Sequence, residues 1–267
     1  MQLKIGIIGC GAIGTILANS FDKDEDINVI ALNDVEEQKA QELCSSLTHT
    51  PKITPLEELI TSSDLVIETS SKNAVRQILD SCIKKHTDIL IMSVGGLIDN
   101  MDLLELAKKE KVNVHIPSGA VAGIDALKAA NNCNIDSVTL TTTKPVGGLK
   151  DAPYIVENNI DLNKISEKTV VFEGNVFDAV SAFPKNINVS ATICLAGIGP
   201  SKTKVKIIAD PNSKVNCHEL KITGDFGEIT TITKNIPCPD NPKTSYLAAL
   251  SGIAKIKEII KNIKIGT

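Results

Sequence analysis

A glycine-rich run directly follows the first apolar stretch of the chain, residues 3–8, and constrains the fold more than any other feature. Its three glycines have the spacing G-x-G-x-x-G. In this pattern the first glycine allows a tight turn, the second lets the backbone approach a pyrophosphate, and the third lets a helix pack closely on the strand. A helix starting there directs its N–H groups at the phosphates. The residues expected to contact a dinucleotide are Gly9, Gly11, Ala12, Ile13 and Gly14.

An acidic residue, Asp34, ends the second apolar run at the distance expected for a ribose-binding carboxylate. It lies 20 residues after Gly14 and is followed by Val35. A carboxylate at this position accepts hydrogen bonds from the ribose hydroxyls and repels a 2′-phosphate. The sequence therefore predicts NAD as the cofactor, with NADP as the alternative. A second reading is that Asp34 caps the helix that begins near Glu36.

The first 118 residues alternate between short apolar runs and helical patterns. The apolar runs are at 3–8, 27–33, 64–68, 88–94 and 112–116. The helical patterns are at 12–21, 36–47, 56–61, 73–85 and 100–109. This alternation predicts an α/β fold, a Rossmann doubly wound parallel sheet with helices on both faces. Ligands bind beyond the carboxyl ends of such strands, so Ser70 is a further candidate for cofactor contact.

The pattern changes after residue 119 to strands accompanied by fewer helices. Strands are expected at 138–143, 169–172, 203–209, 218–223 and 228–233, and helices at 124–130, 162–166, 176–183 and 188–197. This arrangement predicts a smaller α+β domain with a mostly antiparallel sheet. We expect residues 1–119 and 240–267 to form the dinucleotide-binding domain, and residues 120–239 to form the domain for catalysis, substrate binding and dimerisation.

A final helix is predicted to begin at Asn241, with Asn241 as the N-cap and Pro242 in the first helical position. Its apolar positions recur every three to four residues and predict a stripe that returns to the first domain. These positions are Leu247, Leu250, Ile253, Ile256 and Ile260.

Composition excludes several classes of function. The 28 basic and 32 acidic residues nearly balance, and aromatic residues make up 3% of the chain, which argues against a nucleic-acid surface. No apolar run reaches the roughly 20 residues that span a bilayer, and the first strand starts at once, so we expect a cytoplasmic protein. The seven cysteines form no C-x-x-C pair, so neither a disulfide framework nor a metal site is expected.

Few polar residues in the second half suit catalysis. His218 opens a strand, and histidine transfers protons near neutral pH. Lys144 either binds a substrate carboxylate or lies at a solvated strand end. Asn186 or Asn188 either caps the helix that continues to residue 196 or, for Asn188, directs its amide to the nicotinamide. His115 lies within an apolar strand and is interpreted as structural.

Together these residues resemble the L-aspartate dehydrogenases of archaea and some bacteria, over nearly the whole chain. The motifs that carry the resemblance are at 9–14, 93–97, 117–126, 143–145, 183–189, His218 and 240–245. The resemblance implies that His218 is the active-site histidine and that Ala122 and Asn188 contact NAD(P). It also implies a homodimer and a supply of iminoaspartate to NAD synthesis, with a link to quinolinate formation. Val35 occupies a position where family members often have a basic residue. This difference argues against the dual use of NAD and NADP that the resemblance implies.

The reaction so implied is oxidation of L-aspartate to iminoaspartate, which water converts to oxaloacetate and ammonia. Two other classes stay open. One is another enzyme of this architecture, such as a homoserine dehydrogenase or a dihydrodipicolinate reductase, since fold does not determine substrate. Against the reductase, His218 and Lys221 are three residues apart in a strand and so point to opposite faces. The other class is an NAD(H) sensor without turnover.

Overall fold

The computed structural model describes residues 2–184, 187–238 and 241–266, with the side chains of residues 241–243 outside the description. The chain divides into two compact units of similar size. The N-terminal unit runs to Pro117 and includes Ala249–Lys264. The second unit is Ser118–Ala248 with a short C-terminal segment. Within the described ranges, no helix combines the length and apolar character needed to cross a bilayer.

The N-terminal unit is built on a parallel sheet of six strands. These are β1 (Leu3–Ile8), β2 (Ile27–Asn33), β3 (Lys52–Ile53), β4 (Leu65–Glu68), β5 (Asp88–Ile91) and β6 (Val114–His115). Their spatial order is β3-β2-β1-β4-β5-β6 and every pairing is parallel, which confirms the predicted doubly wound sheet. The sequence did not indicate β3, because its two residues are exposed and pair only with the end of β2.

Helices connect these strands. They are α1 (Ala12–Phe21), α2 (Glu37–Ser46), α3 (Leu56–Ser62), α4 (Val75–Lys85), α5 (Gly95–Ile98) and α6 (Met101–Glu110). In α1 the buried positions Gly14, Leu17, Ala18 and Phe21 follow helical spacing and form one face against the core. The apolar run predicted as strand 88–94 ends at Ile91, since the chain then forms the short buried helix α5.

The second unit contains a five-stranded sheet with helices. Its helices are α7 (Ile124–Ala130), α8 (Pro153–Glu157), α9 (Val176–Ala182) and α10 (Asn188–Ala196). Its large sheet is formed by β7 (Ile135–Pro145), β8 (Thr169–Asn175), β9 (Lys204–Asp210), β10 (Asn216–Gly224) and β11 (Gly227–Asn235). The order is β11-β10-β7-β9-β8, and only the β7–β9 pair is parallel, which confirms a mostly antiparallel sheet. The predicted helix 162–166 is a 3-10 turn, Leu162–Lys164.

The prediction that the last helix begins at Asn241 is wrong. Asn241–Ser245 forms strand β13, which pairs with β12 (Pro237–Cys238), and helix α11 is Tyr246–Ile260. The backbone therefore bonds across this small hairpin rather than starting a helical turn, and the N–H of Tyr246 still donates to the carbonyl of Ile236 at 2.9 Å.

The apolar stripe predicted along α11 is only partly buried. Leu247 and Leu250 are about 40% exposed. The buried face instead contains Ala249, Gly252 and Ile256, of which Ile256 belongs to the core of the N-terminal unit. A Cβ at Gly252 would lie 3.0 Å from Sδ of Met92, so the glycine lets α11 approach β5 and its following loop closely. The predicted return of this helix to the first domain is confirmed.

Candidate functional site

The glycine run forms the turn between β1 and α1, and its three glycines differ in their surroundings. Gly9 has a φ of +98°, and a Cβ there would lie 2.6 Å from the backbone nitrogen of Ser70. A Cβ at Gly14 would lie 2.1 Å from the carbonyl oxygen of Gly9. At Gly11, by contrast, no atom of the described residues lies within 4 Å of the Cβ position, its two chain neighbours apart. The first and third glycines thus permit close packing, and the second leaves open space where a pyrophosphate would approach.

Asp34 is half-buried beside this turn, and its carboxylate is held at both oxygens. The N–H of Cys10 donates to Oδ2 at 2.7 Å, and the N–H of Glu36 donates to Oδ1 at 2.8 Å. Helix α2 starts after Glu36 without a side-chain cap, so Asp34 does not cap it. The carboxylate is therefore fixed against the glycine turn, where it can accept from a ribose hydroxyl. Burial, with the nearby Asp34 charge, raises the pKa of the Cys10 thiol to about 12, so this cysteine stays protonated.

Glu68 is a residue that the sequence analysis did not single out. It ends β4 and is completely buried. The N–H and Oγ of Ser70 both donate to its Oε1 at 2.8 Å, and the N–H of Ser93 donates to its Oε2 at 2.9 Å. Burial raises the pKa of Glu68, opposed by the hydrogen bonds from Ser93 and Ser70. One carboxylate thus joins the loops that follow β4 and β5. The feature of the sequence that could have indicated Glu68 is an acidic residue at the end of an otherwise apolar strand.

His218 lies in β10 of the second unit, directly opposite Thr142 of β7. Its side chain is 5% exposed, and Nδ1 lies 3.0 Å from Oγ1 of Thr142. Among the described residues, Nε2 has no hydrogen-bond partner. Burial, aided by the positive charge of Lys144, lowers the pKa of His218 to about 4, so the imidazole is neutral at neutral pH. Lys221 of the same strand pairs with Glu228 on the opposite, exposed face, as its spacing predicts.

Lys144 is also buried, which excludes the interpretation as a solvated strand end. Only 7% of its surface is exposed, and burial lowers its pKa to about 8. Strand register places Lys144 and Thr142 on one face of β7, and Asn216 and His218 on the same face of β10. Two nitrogenous bases and two neutral polar groups therefore share one end of this sheet face.

A cavity of about 540 Å³ adjoins this end of the sheet. It lies entirely within the second unit. Its polar lining residues are Lys144, Asp151, Lys214 and Asn216, and the rest of the lining is mostly apolar or glycine. Such a pocket, with a few polar groups on apolar walls, is typical of a site for a small molecule.

The structure also locates the remaining predicted residues. Ala122 lies in the turn before α7, where its carbonyl accepts a hydrogen bond from Oγ1 of Thr231 at 2.9 Å. Asn188 is the first residue of α10, preceded by Ile187 as N-cap, so Asn188 is not the cap. Asn186, the other predicted cap, lies outside the described residues. Ala122 and Asn188 belong to the second unit, whereas the glycine turn, Asp34 and Ser70 belong to the N-terminal unit.

His115, interpreted from sequence as structural, is half-buried in β6 of the N-terminal unit. Burial is the main cause that lowers its pKa, and the charge of Lys255 adds to the effect. Its strand pairs with β5 of the N-terminal unit, whereas His218 belongs to the second unit.

Comparison with known protein families assigns a type to each half of the chain. Residues 125–259 match the family described as aspartate dehydrogenase, C-terminal. Residues 9–117 match the family described as homoserine dehydrogenase, NAD binding domain. The second match confirms the prediction that the glycine turn belongs to an NAD-binding domain. It covers only the cofactor-binding half, and it does not bear on the substrate.

Individual relatives agree with these matches. The L-aspartate dehydrogenase of Methanosarcina mazei is 49% identical to this chain over 271 residues, with 100% of both chains covered. The crystal structure of aspartate dehydrogenase from Thermotoga maritima covers 100% of both chains with a TM-score of 0.76 and 26% identity. A homoserine dehydrogenase structure from Thiobacillus denitrificans has a TM-score of 0.64 but 12% identity, with 97% of this chain and 73% of that chain covered. This last likeness concerns the fold alone.

Proposed function

Because this chain belongs to the aspartate dehydrogenase family, we propose that it oxidises L-aspartate, with NAD⁺ as the expected acceptor and NADP⁺ as the alternative. The overall reaction converts L-aspartate and NAD⁺ into iminoaspartate, NADH and a proton. The cofactor, when bound, supplies the hydride-accepting chemistry, and the protein supplies binding, orientation and electrostatics. The observation that carries the proposal is the buried His218 imidazole, which shares a sheet face with Lys144 beside the cavity.

The N-terminal unit would hold the dinucleotide. The open position at Gly11 accommodates the pyrophosphate, and the first turn of α1 presents N–H groups that lack helical acceptors. Asp34, fixed by Cys10 and Glu36, would accept hydrogen bonds from the adenosine ribose and repel a 2′-phosphate. Ser70, Ala122 and Asn188 are proposed as further contacts to the cofactor.

His218 would act on the substrate amine. The amine must be neutral before a hydride leaves the α-carbon, because an ammonium lacks the lone pair that forms the C=N bond. With Nδ1–H donating to Thr142, Nε2 bears a lone pair and accepts a proton from the ammonium. In the free protein the charge of Lys144 contributes to the low pKa of His218. A substrate carboxylate bound at Lys144 offsets that charge and so makes His218 a stronger base when the substrate is present.

Lys144 would bind a carboxylate of the substrate. Its pKa of about 8 leaves most of the amine protonated at neutral pH, so it still carries a positive charge. In a buried, apolar setting this charge attracts an anion more strongly than it would in water.

The product would leave as iminoaspartate. Water then converts it to oxaloacetate and ammonia, unless an enzyme that condenses the imine captures it first, which would supply quinolinate and NAD synthesis. We also propose a cytoplasmic homodimer that uses the sheet of the second unit. In support, β11 is an edge strand whose Ile232 is 57% exposed.

Reduction of NAD⁺ and NADP⁺ by the purified protein tests the proposal, with L-aspartate compared to homoserine, L-glutamate, L-alanine and malate. We expect turnover with L-aspartate and a preference for NAD⁺. Activity with homoserine in place of L-aspartate would overturn the substrate assignment. Cofactor binding without turnover of any substrate would instead favour an NAD(H) sensor.

A further inference from the structure

The cavity of the second unit contains two lysines that differ in depth. Lys144 is buried within β7, whereas Lys214 is exposed in the turn between β9 and β10. Most of the other lining residues are apolar or glycine, and they include Phe183, which is 1% exposed. Phe183 packs against Tyr154 and Phe172, with ring centroids 5.7 and 5.4 Å apart, so this wall is fixed.

The turn that contains Lys214 is itself well held. Asp210 is 6% exposed, and its Oδ1 accepts a hydrogen bond from the N–H of Asn212 at 2.9 Å. On the other side, Oγ of Ser213 donates to the carbonyl of Val215 at 2.7 Å. These bonds constrain the backbone of the turn that places Lys214 in the cavity lining.

The position of His218 determines which end of a substrate lies deeper. His218 lies opposite Thr142, and Lys144 is two residues further along β7 on the same sheet face, so His218 and Lys144 occupy diagonal positions on neighbouring strands. The amine and the α-carboxylate of the substrate are attached to the same carbon. If the amine lies at His218, Lys144 is therefore expected to bind the α-carboxylate. The side-chain carboxylate of L-aspartate then extends away from this pair, toward the outer part of the cavity.

We propose that Lys214 binds the side-chain carboxylate of the substrate while Lys144 binds its α-carboxylate, which makes Lys214 the residue that selects an acidic amino acid. This assignment rests on the proposed function. Two cations that line one largely apolar cavity match a small dicarboxylate, because each carboxylate gains a charge-assisted hydrogen bond. Asp151, which also lines the cavity, limits the attraction for anions in general and leaves recognition to the placement of the two lysines.

The test compares Lys214→Gln with the wild-type enzyme and with Lys202→Gln, since Lys202 is an exposed lysine of the same unit outside the cavity lining. For L-aspartate we expect kcat/KM to fall about tenfold or more in Lys214→Gln, mainly through KM, as one charge-assisted hydrogen bond is lost. The KM for NAD⁺ should not change, and Lys202→Gln should behave as wild type. An unchanged KM for L-aspartate in Lys214→Gln would overturn the proposal.

A binding measurement separates this proposal from the proposed reaction. Succinate carries two carboxylates without an amine, and butyrate carries one. By calorimetry, wild type should bind succinate more tightly than butyrate, and Lys214→Gln should lose that difference. If the wild type does not oxidise L-aspartate yet keeps a Lys214-dependent preference for succinate, the reaction fails and the dicarboxylate site stands. If L-aspartate is oxidised but the preference is the same in both proteins, the site fails and the reaction stands.

Discussion

Glu68 in the N-terminal unit and His218 in the second unit are both buried ionisable side chains, but their surroundings differ. The Glu68 carboxylate accepts hydrogen bonds of 2.8–2.9 Å from the N–H and hydroxyl of Ser70 and from the N–H of Ser93, in two loops. Among the described residues, Thr142 is the one side-chain hydrogen-bond partner of His218. Lys144, on the same sheet face, lines a cavity. A buried carboxylate supplied with donors on both oxygens joins backbone segments, whereas a buried base beside a cavity retains capacity for a ligand. We therefore propose that Glu68 positions the two loops and that His218 transfers the proton.

The largest effect is expected from His218→Ala. Loss of a general base typically lowers the rate by about 100-fold or more, so kcat/KM for L-aspartate should fall by at least that factor. The dissociation constant for NAD⁺ should stay the same, because His218 is not among the residues proposed to contact the cofactor, of which the glycine turn and Asp34 belong to the other unit. Steady-state kinetics and fluorescence titration with NADH measure the two quantities.

A matched control for this variant is His49→Ala. His49 is an exposed residue of the N-terminal unit, with its ring nitrogen 2.8 Å from the carbonyl oxygen of Asp22. It should retain wild-type turnover. Wild-type turnover in His218→Ala as well would contradict the role of His218 as a general base, and with it the difference proposed between His218 and Glu68.

The second prediction concerns the pH dependence of stability. His218 has a folded-state pKa of about 4, below its ordinary value of 6.5. Between these values the unfolded chain binds the proton more readily, so this residue makes unfolding easier as the pH falls from 6.5 toward 4. In His218→Asn that contribution is absent. Relative to this variant, the wild type should lose about 1–2 kcal/mol of unfolding free energy between pH 7 and pH 5.

Urea unfolding of both proteins at the two pH values measures this difference. Parallel pH dependence in wild type and His218→Asn would contradict a desolvated, neutral His218 in the folded state.

The smallest effect is expected from Glu68→Gln. The amide NH₂ would replace an oxygen that accepts from Ser70 or Ser93, so one buried N–H would lose its acceptor. We expect the loops to lose their fixed separation and the dissociation constant for NAD⁺ to rise about tenfold, with kcat nearly unchanged at saturating NAD⁺. Glu57→Gln, at an exposed glutamate of α3, should leave NAD⁺ binding as in wild type. A lowered kcat with unchanged NAD⁺ affinity would assign Glu68 to the chemistry instead.

The fold was largely predictable because its signals are local. Short apolar strands, helices between them and the glycine run indicated the doubly wound sheet, and the motifs indicated the family, which the relatives confirm. Strand β3 was missed because two exposed residues carry no apolar pattern. Strand β13 was predicted as the start of a helix because Asn241 and Pro242 suit a helix start. The backbone there instead pairs with β12 in a hairpin, which the capping pattern does not report.

The site was predictable only as separate residues. His218 and Lys144 were named from the sequence, but their shared sheet face depends on the register between β10 and β7. Burial then determines their low pKa values, and no local pattern reports burial of a lysine next to a proline. Neither Glu68 nor Lys214 was predicted as a site residue. Glu68 joins loops that meet only in the folded sheet, and Lys214 lines a cavity formed by several segments.

The most direct test of the account follows the hydrogen at the α-carbon. L-[2-²H]aspartate and NAD⁺ are incubated with the wild-type protein, and the reduced nucleotide is analysed by mass spectrometry. The account predicts NADH that carries one deuterium, with iminoaspartate or its hydrolysis product oxaloacetate in equal amount. NADH without deuterium, or no NADH at all from L-aspartate, would contradict it.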